Sequence, residues 1–264
     1  MRHLTAFVAA LLLAGCAATP RLAPGPYLRG PVVDDPHVPP FADAGWEPFR
    51  RAAAVAIALR EWRLFGSPID DDPPGSRPPL PQADRPEREE GLWQRVGEYW
   101  WGGVPPNQDI AAATGIHSPR GTEVADDTDT PWSAAFISYV MRLAGAASRF
   151  PYSASHSTYI NAAASGSSPI LRAEPPATYP PALGDLVCHA RGAARTMSFA
   201  DLPTSSPFTS HCDIVVGVAA GELAVIGGNV DDAVTLHHIP LDGSSHIADP
   251  TTPYVAVLQV LYDE

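Results

Sequence analysis

The hydrophobic period of this chain changes near residue 181. Upstream, apolar side chains recur at helical spacing. Phe49, Ala53, Ile57 and Leu64 mark one face of a helix expected over about residues 46–65, with Gly66 as its stop. Leu92, Val96, Tyr99 and Trp100 carry the spacing through a second helix. Its expected start has Asp84 as cap, Pro86 in the first turn and Glu87 at the reciprocal capping position. Trp132, Phe136, Tyr139, Val140 and Leu143 share a face of a third, with Thr130 as cap, Pro131 first and Gly145 past the end. A short helix is expected over 155–164, followed by a proline-rich loop to about residue 181. Downstream, residues 185–189, 213–219, 222–226, 233–239 and 254–261 read as strands between Gly, Asp and Pro punctuation, with a tight turn at Ala220-Gly221. Helices first and an antiparallel sheet afterwards define an α+β domain, expected as a single unit over 46–264.

The N-terminal stretch has a different character. Arg2 precedes an apolar run from Leu4 to Leu13, well short of the ~20 residues a membrane-spanning helix needs. The run ends in Leu13-Ala14-Gly15-Cys16, which resembles a bacterial lipobox. Residues 1–15 are therefore expected to be a lipoprotein signal peptide, and the Cys16 thiol the site of lipidation. An ordinary cleaved signal with a chance cysteine is the simpler alternative. Residues 16–45 would form a proline-rich tether holding the domain to a membrane through that anchor. Ala17, where an aspartate would retain the protein at the inner membrane, implies by resemblance to Gram-negative lipoproteins an exported protein on the periplasmic face of the outer membrane.

Composition removes several classes of function. Acidic residues outnumber basic ones by 29 to 17, for a net charge of -12. A nucleic-acid binder needs a basic face, so nucleic acid is not an expected partner. The sequence contains no lysine, which excludes a P-loop, a Schiff-base enzyme and a Ser/Lys dyad. Three cysteines are too few for a disulfide scaffold or a four-thiolate zinc site.

Four motifs carry the chemistry. Trp132-Ser133-Ala134-Ala135-Phe136 opens a helix, Gly184-Asp185-Leu186-Val187 opens the first strand, His211-Cys212-Asp213 opens the second, and Gly227-Gly228-Asn229 follows the third. In that order they resemble the papain-like hydrolases of the NlpC and CHAP type, and more closely the bacterial domain-of-unknown-function family 2272, over roughly residues 50–262. The resemblance implies a papain-like α+β fold and hydrolysis of an amide bond in peptidoglycan peptides. Ser133 would be the nucleophile and His211 the general base, with Asn229 or Asp213 orienting the imidazole. No cofactor and no metal are implied.

One departure matters. Papain-like enzymes keep cysteine at the nucleophile position, and this chain has Ser133. A hydroxyl forms no stable ion pair with imidazole and must lose its proton during attack, which calls for a well-held base. Ser133 thus reads as a working nucleophile, as a remnant in a retired site, or as a packing residue. The corresponding alternative function is a catalytically inactive module that binds cell wall or protein; an envelope scaffold is a third reading.

Trp132, His156 and Asp185 are candidates to line the same cleft. A helix-start histidine bonded to nearby backbone and a turn-forming aspartate are the plainer roles for the last two. Cys188 and Cys212 can be sheet neighbours joined by a disulfide in an oxidising compartment, or two buried thiols. Alternation along regular strands prevents Cys188, His189, His211 and Cys212 from facing one zinc ion. Arg191 and Arg195 precede His211 and could recognise carboxylates.

Overall fold

The structure, a computed structural model, describes residues 48–73, 76, 78–105 and 128–263. The expected signal peptide over 1–15, the lipidation site Cys16 and the tether over 16–45 lie outside the described residues. Within them the chain is α+β. Four α-helices come first: α1 (Arg51–Leu64), α2 (Leu92–Gly103), α3 (Ser133–Leu143) and α4 (His156–Ala164). Six strands follow: β1 (Leu171–Glu174), β2 (Leu186–Ala190), β3 (Ser210–Ala219), β4 (Glu222–Val230), β5 (Ala233–Pro240) and β6 (Tyr254–Val260). They form one antiparallel sheet in the order β1-β6-β2-β3-β4-β5.

Three boundaries differ from the sequence reading, each for a local reason. The segment with Asp84 and Pro86 forms two short 3-10 turns, and α2 begins only after Gly91. Gly91 has φ +92°, a left-handed conformation open to glycine, and its N–H is taken by the Gln94 side chain at 2.6 Å. Helix α3 starts at Ser133 rather than Pro131, because its first backbone bond runs from Phe136 N–H to the Trp132 carbonyl at 3.0 Å. Residues 171–174, expected as loop, pair with β6 as an edge strand. Four residues are too few for alternation to register against a proline-rich background.

Small side chains let the helices approach. Ala54 and Ala58 of α1 are fully buried, and so is Glu61 on the same face. Burying that carboxylate requires partners, and α2 and α3 supply them. Arg95 donates to both Glu61 oxygens and to the Tyr139 hydroxyl, each at 2.8 Å, while the Tyr99 hydroxyl reaches Glu61 at 2.8 Å. The network ties three helices together beside an aromatic cluster of Tyr99, Trp132, Phe136 and Tyr139.

Strand alternation then sorts the sheet into two faces. Leu186, Cys188, Cys212, Ile214, Ile226 and Leu258 pack against the helices. Val187, Val215, Leu223, Val225, Ile239 and Val257 form a second cluster on the opposite face. His189, His211, Asp213 and His237 share the parity of that second cluster. In the β2–β3 register Cys188 lies opposite Cys212 and His189 opposite His211. The two cysteines form a disulfide on the helix side, which separates them from the two histidines.

Candidate active site

Ser133 is the first residue of α3 and is 7% exposed. Trp132, its N-cap, makes no side-chain capping bond. The N–H groups of Ser133 and the next two residues precede the helix ladder and have no acceptor within it. The positive end of the helix dipole is concentrated there.

The Ser133 hydroxyl meets His156, not His211. Ser133 Oγ lies 2.7 Å from His156 Nε2. His156 is the first residue of α4, and its Nδ1 is hydrogen-bonded to the hydroxyl of Tyr159. Residues three apart on a helix are neighbours, so α4 carries both the imidazole and the group that orients it. His156 is therefore bonded to side chains on both nitrogens rather than to nearby backbone. Its protonation state follows from its surroundings. Burial holds the imidazole well below the usual histidine range, and the neighbouring His211 lowers it further. A neutral imidazole carries one N–H. When Nε2 accepts from Ser133, Nδ1–H donates to the Tyr159 oxygen. Burial also keeps the Tyr159 phenol protonated, raising it well above the usual tyrosine range.

The expected base, His211, is engaged elsewhere. Its Nε2 is 2.8 Å from Asp213 Oδ1, two residues along the same strand face. Its ring centroid is 5.2 Å from that of His156. Burial works against the Asp213 charge, yet His211 and His237 together hold this carboxyl below the usual range. His189, across the strand pair, has a ring centroid 5.3 Å from His211. Burial, then the neighbouring His211, pushes it down to about 3. His211 Nδ1, His189 Nδ1 and Asp213 Oδ2 are buried without a hydrogen-bond partner among the described residues.

Asn229 does not orient His211. Residues 227 and 228 divide between the sheet faces: a Cβ on Gly227 would lie 2.0 Å from Asp213 Oδ1, and one on Gly228 2.6 Å from Phe136 Cβ. Asn229 follows at a bulge with φ +56°. From there its Nδ2 donates to Glu87 Oε2 at 3.2 Å. The same Glu87 oxygen accepts the Trp132 indole N–H at 2.7 Å. Burial pushes the Glu87 carboxyl up to about 7, against the lowering effect of the Trp132 bond and with Asp232 raising it further. Trp132 is fully buried in the aromatic cluster.

Asp185 is also placed away from Ser133. Its carboxylate accepts from the Ala182 and Val260 amides at 3.0 and 3.1 Å and from the Tyr179 hydroxyl at 3.1 Å. That is the turn-forming role, tying the start of β2 to β6.

The structure thus brings Ser133, His156, His211 and Asp213 together and leaves Asn229, Trp132 and Asp185 in supporting positions. Sequence reasoning missed Tyr159, the buried state of Glu87, and the place of His189 and His237 beside His211 and Asp213, His189 entering there only as a zinc candidate. The only prior signal for Tyr159 was its spacing from His156. For His237 it was strand parity, which is useful only once the strands are paired.

The model for the bacterial family described as "Uncharacterized protein conserved in bacteria (DUF2272)" matches residues 87–260. No curated protein and no solved structure matches the chain.

Proposed function

The chain belongs to the DUF2272 family, and we propose that it is a lipid-anchored cell-envelope hydrolase with a papain-like arrangement, cleaving an amide bond in peptidoglycan peptides. The observation that carries this reading is the 2.7 Å contact between Ser133 Oγ and His156 Nε2 at the start of α3. A nucleophile and base within hydrogen-bond reach, with the base oriented by a third group, is the minimal unit of acyl transfer. The order of motifs and the lipobox-like N-terminus support the substrate class and the envelope location.

In this mechanism Ser133 Oγ attacks the carbonyl carbon as its proton passes to His156 Nε2. The carbonyl π electrons move to oxygen, where the N–H groups at the head of α3 supply donors. Collapse breaks the C–N bond, and His156 returns the proton to the leaving amine. Water then attacks the Ser133 ester with His156 again as base, releasing the acid and restoring the hydroxyl. Tyr159 fixes the tautomer but carries no charge, so it stabilises the imidazolium less than a carboxylate would. Asp213, held by His211, is the nearby anion that raises the basicity of His156.

A non-catalytic cell-wall binding module is the second reading. It is favoured by one observation: both His156 ring nitrogens bond to hydroxyls, with no carboxylate in direct contact. Incubating the full-length chain in detergent micelles with purified peptidoglycan separates the two. The hydrolase reading expects soluble fragments with new amine and carboxyl ends from the wild type and none from Ser133→Ala. Equal release by both proteins overturns the serine mechanism. Absence of release, with undiminished sedimentation of both proteins with the peptidoglycan, identifies the binding module.

A further inference from the structure

A cavity of about 400 Å³ lies among β2, β3, the end of β4, β5 and the start of β6. Its volume falls in the range of small-ligand sites. It reaches the candidate active site through His211 and Asp213, which line it together with His189, His237 and Tyr254. Its charge is one-sided: six lining residues are aspartates, and Arg191 is the one arginine.

The decisive atom is Asp213 Oδ2. Asp213 is 0% exposed, and its Oδ1 is taken by His211. Its Oδ2 has no hydrogen-bond partner among the described residues. His237 Nε2, at 3.9 Å, is too far to donate to it. A buried carboxylate oxygen left without a donor is costly, and Asp213 is among the residues that line the cavity. At the outer wall, Asp71 is bonded to the His238 N–H at 2.8 Å, and Asp249 to the Thr251 N–H at 2.7 Å. Both carboxyls are held below the usual range, so they are ionised at neutral pH.

We propose that this cavity binds the primary ammonium group of a peptide, with Asp213 as the buried anchor and the Asp71 and Asp249 carboxylates drawing the cation in. An ammonium brings three N–H donors and a positive charge, which complements a half-satisfied carboxylate. A bare divalent ion is the poorer match, since no group of three or more His, Cys, Asp or Glu among the described residues is arranged to hold a metal. Seated there, the ammonium would place the rest of its peptide beside His211 and the Ser133–His156 pair. The identification of that peptide as a substrate rests on the proposed hydrolase function; the binding itself does not.

Calorimetric titration of the full-length chain in detergent micelles tests it. The probe is the tripeptide Ala-Glu-Lys with its N-terminus acetylated, and the comparator carries an acetyl group on the lysine amine as well. The first is expected to bind, and the second to bind at least about tenfold more weakly, the effect of one lost charged hydrogen bond. Asp213→Asn is expected to weaken the first peptide to a similar degree. If that variant does not fold, the Asp71→Asn/Asp249→Asn pair on the rim is expected to weaken binding a few-fold and to reduce its salt dependence. Equal binding of the two peptides, or binding of neither, overturns the proposal. Lysine-dependent binding without any cleavage leaves the cavity assignment standing and removes the hydrolase reading. Equal cleavage of both peptides does the reverse.

Discussion

The indole N–H of Trp132 donates to the carboxyl of Glu87 across 2.7 Å, linking the N-cap of the Ser133 helix to a buried acid. Asn229 donates to the same oxygen from the bulge in β4. Three segments distant in sequence therefore meet at one titratable group, and this makes the head of α3 sensitive to pH.

Burial raises Glu87 from the ordinary glutamate value of 4.5 to about 7. The folded state then holds its proton more tightly than the unfolded chain. This contribution is fully present below the unfolded value and is lost as pH rises through the folded one. Thermal unfolding between about pH 5 and about pH 8 is expected to show a loss of about 2 kcal/mol from this group. Glu87→Gln, which keeps an acceptor for Trp132, is expected to flatten that part of the profile. An unchanged slope in the variant would rule out Glu87 as the source.

Tyr159 should act through His156. Tyr159→Phe removes the partner of Nδ1 and releases the tautomer. We expect kcat for peptidoglycan cleavage to fall about tenfold to a hundredfold with little change in KM, in line with the effect of other orienting groups. His156→Ala and Ser133→Ala should each abolish turnover, and the double variant should be no worse than either. Retention of activity in His156→Ala would move the role of base to His211.

The approach of β4 to the His211–Asp213 pair leaves no room for a side chain. A Cβ at position 227 would lie 2.0 Å from Asp213 Oδ1 and 2.8 Å from His211 Nε2. Gly227→Ala is expected to lower stability by about 1–3 kcal/mol, the usual cost of overpacking. It should also shift the His211 ring resonances in a proton NMR spectrum. Wild-type stability with unmoved resonances would show that the strand relaxes freely.

The Cys188–Cys212 disulfide closes a loop with a sequence separation of 24. Loop-closure entropy assigns such a link about 3 kcal/mol. Replacing both cysteines with alanine should lower the unfolding free energy by roughly that amount. In wild type alone, a reducing agent should reproduce the shift. A reductant effect that persists in the double variant would have another origin.

Much of the architecture was readable from local pattern. Helical spacing located α1, α3 and the body of α2, a short helix was expected where α4 lies, and strand-like runs between turn residues located five of the six strands, because each signal extends over several turns or pleats. The short strand at Leu171 offered too few repeats to detect. Helix starts were less legible. Asp84 and Pro86 have the right chemistry for a cap, but the chain turns twice before α2 begins.

The site divides in the same way. The sequence by itself determined which residue types were available: a serine at the start of a helix, a His-x-Asp pair on one strand face, and a Gly-Gly step before an asparagine. These follow from periodicities of two to four residues, which are local. Which histidine faces Ser133 was decided by the packing of α4 against the head of α3, an arrangement of segments 23 residues apart. Asn229 was turned towards Glu87, 142 positions away, by a bulge and by the volume Asp213 and His211 occupy over Gly227. Excluded volume and burial act between residues distant in sequence, so neither contact could be read from spacing along the chain.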